Sequence, residues 1–207
     1  MRTTTRLGIM GGTFDPVHFG HLVTAEEALV QFNLDRVLFM PTGRPARKTS
    51  QAVTSAEHRY LMTVIATAAN PDFDVSRMEI DRPGLSYTVD TLHALREMYG
   101  PQTELFFITG ADAVWEIVTW REAERFRGLA TFIAATRPGY DLDTARTGHA
   151  EELAALGIEF IEVPALAISS TDIRARVVER RPIRYLMPEA VASYIHKYRL
   201  YREGGRS

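Results

Sequence analysis

Short apolar runs alternate with longer amphipathic segments along most of these 207 residues, and this alternation restricts the fold more than any other feature. Arg6 to Met10 reads as a first strand, followed by a helix from about Val17 to Phe32 in which Leu22, Ala25, Leu29 and Phe32 recur at helical spacing. Val37 to Met40 is a second strand. Thr54-Ser55-Ala56-Glu57 forms a capping box that opens a helix toward Ala69, ended by Asn70-Pro71. Phe73 to Ser76 is a third strand, and Thr88 to Tyr99 a helix closed by Gly100-Pro101. Leu105 to Thr109, Leu129 to Ala135 and Ile158 to Val163 supply further strands.

Strands joined by helical crossovers pair in parallel and bury both faces of their sheet. The prediction is therefore an α/β fold, a doubly wound, mostly parallel, Rossmann-like sheet with a small helical part at the C-terminus. Residues 1–200 read as a single domain, with the helical part over about 169–200 and a flexible tail over 201–207.

With 45% hydrophobic residues the chain has enough apolar side chain for a substantial core. It lacks cysteine, which rules out disulfides and thiolate metal sites. The segment Met1 to Arg6 leads into an apolar run too short for a signal or membrane helix, so a cytoplasmic location and no membrane partner are expected. A formal charge of −2 argues against nucleic acid as the main ligand. There are 22 arginines but only two lysines, Lys48 and Lys197. Lys48 stands out in the polar loop Gly43-Arg44-Pro45-Ala46-Arg47-Lys48, because a lysine ammonium is a compact charge suited to phosphate.

In open parallel sheets the ligand lies beyond the carboxyl ends of the strands, where the direction of connection reverses. Gly11 to His21, Thr42 to Lys48, Gly110-Ala111-Asp112 and Thr136-Arg137 all follow strands and converge there. The first of these reads as a phosphate site. Gly11 and Gly12 lack Cβ atoms that would keep backbone amides from an anion, and a helix opening near Pro16 adds its positive dipole end. His18 and His21 fall on one face of its first turn. A second anion signal is Ile168-Ser169-Ser170-Thr171-Asp172-Ile173-Arg174, where Ser169 or Ser170 caps a helix with Arg174 one turn inside. Arg176, Arg180, Arg181 and Arg184 read as a solvated face.

The span GGTFDPVHFGH, residues 11–21, together with ISSTDIR, resembles the HxGH nucleotidylyltransferase superfamily. Glu79 to Leu92 with its SYTxxTL element, Gly110-Ala111-Asp112 and Trp120 resemble the nicotinate mononucleotide adenylyltransferase branch of that superfamily. The resemblance implies transfer of the adenylyl group of ATP to nicotinate mononucleotide in NAD biosynthesis, yielding nicotinate adenine dinucleotide and pyrophosphate. It implies that His18 and His21 contact the α-phosphate, with Gly11, Gly12 and Thr13 as loop donors and Gly20 leaving room for the nucleotide. Ser169, Ser170, Thr171, Arg174 and Arg137 would meet the triphosphate, and Gly110 and Asp112 the ribose or metal-linked phosphates. Lys48 is the basic loop ligand in this reading, with Arg44 and Arg47 as alternatives, and Asp15 either orients the first loop or caps its turn. Trp120 would stack on the pyridine ring, while Tyr87 and Thr88 receive the nicotinate carboxylate.

Mg2+ is expected to arrive with ATP, held by phosphates and water, with no protein metal site. Partners are then the two small-molecule substrates; a homo-oligomer is compatible with the sequence. The other readings are a different acceptor such as nicotinamide mononucleotide or phosphopantetheine, a nucleotide-binding sensor without catalysis, and a fragment of a class I aminoacyl-tRNA synthetase.

Overall fold

The computed structural model describes residues 5–46, 53–110, 117, 120, 125–126, 128–136, 156–164 and 166–202. Six strands form one parallel sheet: β1 (Thr5–Gly12), β2 (Arg36–Pro41), β3 (Phe73–Val75), β4 (Thr103–Gly110), β5 (Thr131–Thr136) and β6 (Glu159–Glu162), in the order β3-β2-β1-β4-β5-β6. The described helices are α1 (Phe19–Gln31), α2 (Ala56–Thr67), the single turn α3 (Met78–Asp81), α4 (Thr88–Tyr99), α5 (Ser170–Val178) and α6 (Glu189–Tyr198). The doubly wound α/β architecture is the one expected, and every strand pairing is parallel. The chain steps from β1 to β2 to β3 on one side, then returns to place β4 against β1, so connections reverse between β1 and β4.

Side-chain alternation along the strands feeds two apolar layers. Val37 and Phe39 of β2 join Met10, Phe106, Ile108 and Ile133 under α1, α2, α5 and α6, where Ala25, Met62, Ile173 and Val191 close the layer. Leu38 and Met40 face the other way, with Leu7, Ile9, Phe107 and Phe132, beneath Val89, Leu92 and Leu95 of α4.

Several local expectations shift. Strand β1 runs past the expected end at Met10, because Gly11 and Gly12 extend it and pair with Met40 and Pro41. Helix α1 begins at Phe19 rather than Val17, since Val17 is fully buried before the helix and His18 has extended backbone, φ −150°. Ser55, not Thr54, caps α2, its hydroxyl accepting from the His58 amide at 3.4 Å. Tyr201, assigned to the tail, packs against the core and bonds to Asp15. Residues 203–207 lie outside the described residues.

Candidate active site

Strand β1 ends in a loop whose conformation is set by a buried aromatic. Phe14 holds a left-handed backbone, φ +51°, an uncommon conformation for a side chain of this size. Its ring packs on Phe39 at 5.7 Å and edge-on against His21 at 5.0 Å. The chain is thereby delivered to His18, the N-cap of α1. The His18 amide donates to His21 Nδ1 at 3.2 Å, and the two imidazoles stack with centroids 3.8 Å apart. With Nδ1 of His21 accepting, the proton of the neutral ring resides on Nε2, which makes that nitrogen a donor. The sequence-predicted pair is thus brought together at the start of α1.

The glycines around the pair serve packing more directly than anion access. A Cβ on Gly20 would stand 3.0 Å from Cε1 and Nδ1 of His18, so the bare backbone makes room for the imidazole. Cβ atoms on Gly11 and Gly12 would meet the rings of Phe107 at 2.6 Å and Phe14 at 2.9 Å.

Helix α5 reaches the same place from the far end of the chain. Ser169 is its N-cap, accepting from the Asp172 amide at 3.1 Å. The Ser170 hydroxyl donates to the Pro16 carbonyl at 2.8 Å, and Arg174 donates through Nη1 to the Asp15 carbonyl at 2.8 Å and through Nη2 to Thr171 Oγ1 at 3.3 Å. Two of the predicted triphosphate residues, Ser170 and Arg174, therefore clasp the first loop. The Ile168 carbonyl lies 3.8 Å from where a Gly20 Cβ would be, which puts the starts of α1 and α5 side by side. Arg176 pairs with Asp172 at 2.7 Å and Arg181 with Glu179 at 2.6 Å, as a solvated face requires.

The loop after β2 is tied to both sides. Thr42 donates its amide and hydroxyl to the Gly12 carbonyl at 2.9 and 3.1 Å. Three residues on, Pro45 forms a parallel bridge with Ser86, whose amide donates to the Arg44 carbonyl at 2.9 Å. The basic loop and the SYTxxTL segment thus lie together. Tyr87 is the N-cap of α4 and Thr88 its first residue, so the opening amides of that helix stand at the segment predicted for the carboxylate. Trp120 is half-buried, edge-on to Phe107 at 6.1 Å and Phe126 at 6.2 Å. Its Nε1 is buried with no hydrogen-bond partner among the described residues. Phe107 therefore links Trp120 to Gly11. Gly110 is exposed at the end of β4. Lys48, Asp112 and Arg137 lie outside the described residues, as does Arg47.

Three residues that sequence reasoning missed organise these loops. Arg59 on α2 is 1% exposed and donates to the carbonyls of Thr54, Thr13 and Gly43 at 2.8, 2.8 and 2.9 Å. Burial lowers its pKa, opposed first by the Asp15 carboxylate. Tyr201 donates to Asp15 Oδ1 at 2.8 Å, and burial followed by the Asp15 charge holds the phenol well above the usual tyrosine range. Glu79 is buried beside the Gly43 loop and accepts from Thr91 Oγ1 at 2.7 Å; desolvation raises its carboxyl, partly offset by bonds from Thr91 and Ser86. Among the described residues no three His, Cys, Asp or Glu side chains are grouped to hold a metal ion, and no helix is long and apolar enough to cross a membrane.

The cytidylyltransferase-like family model matches residues 9–176. A protein of Corynebacterium kroppenstedtii named probable nicotinate-nucleotide adenylyltransferase is 58% identical over 211 residues, spanning 100% of this chain and 97% of its own. One of the same name from Moorella thermoacetica is 56% identical over 200 residues, spanning 95% and 92%. This chain belongs to the nicotinate-nucleotide adenylyltransferase family. The fold of this family member is also that of the Plasmodium falciparum nicotinic acid mononucleotide adenylyltransferase solved with NaAD, with TM-score 0.74, 20% identity, and 95% and 97% of the two chains covered. The same enzyme solved with APC gives TM-score 0.73 at 19% identity.

Proposed function

We propose that this chain transfers the adenylyl group of ATP to nicotinate mononucleotide, forming nicotinate adenine dinucleotide and pyrophosphate in NAD biosynthesis. A 5′-phosphate oxygen of the mononucleotide attacks the α-phosphorus, the bond from that phosphorus to the α,β-bridging oxygen breaks, and pyrophosphate leaves with its electron pair. No protein nucleophile is needed, so catalysis rests on alignment and on donors at the phosphate oxygens. The observation that carries this reading is the stacked His18 and His21 pair at the N-terminus of α1, with the start of α5 clasped to the same loop through Ser170 and Arg174.

His18, His21 through Nε2 and the opening amides of α1 act on the α-phosphate, with Thr13 and the exposed Ser169 and Thr171 toward the remaining phosphates. Mg2+ enters as part of the ATP substrate; a site of imidazoles, amides and guanidinium suits a metal held by phosphates and water. Lys48, Asp112 and Arg137 keep their predicted roles, as does Gly110. The opening of α4 at Tyr87 and Thr88 receives the nicotinate carboxylate, and Trp120 stacks on the pyridine ring; its unpartnered Nε1 supports a polar ligand group nearby. The reaction belongs in the cytoplasm.

The test is turnover with ATP against nicotinate and nicotinamide mononucleotides in parallel, following dinucleotide and pyrophosphate together. Equal amounts of both products, with the nicotinate substrate preferred, are expected. ATP binding without pyrophosphate release would instead make the protein a sensor, and preference for nicotinamide mononucleotide would reassign the acceptor.

A further inference from the structure

Arg59 sits where no carboxylate bonds to it, yet its guanidinium is enclosed and every one of its nitrogens donates to a backbone carbonyl. A buried cation is costly unless its geometry is well satisfied. The three carbonyls come from separate segments: Thr13 in the loop that carries the histidines, Gly43 in the basic loop, and Thr54 just ahead of the α2 cap. Gly43 is one residue before Arg44, whose carbonyl accepts from Ser86 next to Tyr87 and Thr88. Gly43 also has no latitude to move toward its other neighbour, because a Cβ there would stand 2.0 Å from the Glu79 carbonyl oxygen.

One planar fork therefore fixes the separation between the loop that carries the histidines and the basic loop, to which the acceptor segment is bonded through Ser86. We infer that Arg59 is a positioning residue for adenylyl transfer, holding the histidine loop and the basic loop, with the acceptor segment bonded to the latter, at the spacing in-line attack requires. The inference rests on the proposed reaction. A lysine ammonium is a point donor on a flexible stem and cannot span three carbonyls set around a plane. Misplacement of the reacting atoms by about 1 Å lowers turnover on the order of 100-fold.

The experiment compares the full-length chain with its Arg59→Lys and Arg59→Gln variants. It reads dissociation constants for an ATP analogue that cannot be cleaved at the α,β bond and for nicotinate mononucleotide, and single-turnover rates with ATP per site titrated by the analogue, which do not depend on the folded fraction. Glutamine is included because its neutral amide brings no charge into the buried position, which keeps the test open where lysine does not fold. The expected result is binding of both ligands within about 3-fold of wild type and a rate lowered about 100-fold, with lysine no better than glutamine. A rate within about 3-fold of wild type in either folded variant overturns the inference, as does a loss confined to binding or failure of both variants to fold. Absence of turnover in the wild-type chain counts against the proposed reaction itself, which keeps the two failures separate.

Discussion

The Tyr201 hydroxyl donates a 2.8 Å hydrogen bond to Oδ1 of Asp15 across 186 residues of sequence, binding the end of the C-terminal helical part to the loop that presents His18. Asp15 is 6% exposed, and its other oxygen accepts from the Thr54 amide at 3.3 Å. Arg174 holds the carbonyl of the same residue. The loop that presents His18 is thus anchored by the C-terminal helical part and by the segment ahead of α2.

Tyr201→Phe removes a donor from a buried carboxylate and is expected to destabilise the protein by about 1–3 kcal/mol. The raised phenol pKa means this contribution is fully present below the ordinary tyrosine value and fades only as pH rises beyond it. Thermal melts of both proteins between neutral and mildly alkaline pH should show a constant gap; identical melting temperatures would remove Tyr201 from the network.

His18→Ala is expected to lower turnover by about 100-fold to 1000-fold, the scale of deleting a donor at a developing charge. Gly20→Ala provides an independent check without deleting the ring, because the new methyl would lie 3.0 Å from the His18 imidazole and must displace it. A well-folded Gly20→Ala protein with unchanged kcat would show that the placement of the His18 ring is not critical.

Trp120→Ala should raise KM for nicotinate mononucleotide much more than KM for ATP, since stacking serves one substrate. Steady-state kinetics with each substrate varied in turn decides it. Equal changes in both constants would place Trp120 in the packing of Phe107 and Phe126 alone.

Glu79 contributes a pH dependence to stability. Its folded carboxyl takes up a proton more readily than the unfolded one, whose ordinary value is 4.5, so stability falls as pH rises from there through the raised folded value. Glu79→Gln keeps an oxygen for the Thr91 hydroxyl and removes the buried charge. Chemical denaturation across pH 5 to 8 should show the variant gaining on the wild type toward the upper end, and parallel curves would contradict this.

Helix α4 was readable to its ends because its bounds are written locally, in the apolar period and in Gly100, which adopts φ +74° at the C-cap. The start of α1 was not, because Val17 fits the helical period yet is buried in the core ahead of the helix. The histidine motif and ISSTDIR were visible as anion signals since short-range chemistry defines them. Their joining through Ser170 and Pro16 spans 154 residues and left no local trace.

The sequence by itself determined the alternation of strands and helices, the parallel sheet that follows from it, and the residue types able to meet phosphate. Tertiary structure alone decided that Arg59 would be enclosed, since an arginine on an amphipathic helix reads as solvated until the carbonyls of Thr13 and Gly43, 46 and 16 residues away, are folded around it. It likewise decided that Asp15 would be shared by Tyr201 and Thr54 at its carboxylate and by Arg174 at its carbonyl. Periodicity and caps are local properties of the chain, whereas a hydrogen-bond partner for a buried charge exists only after distant segments have packed.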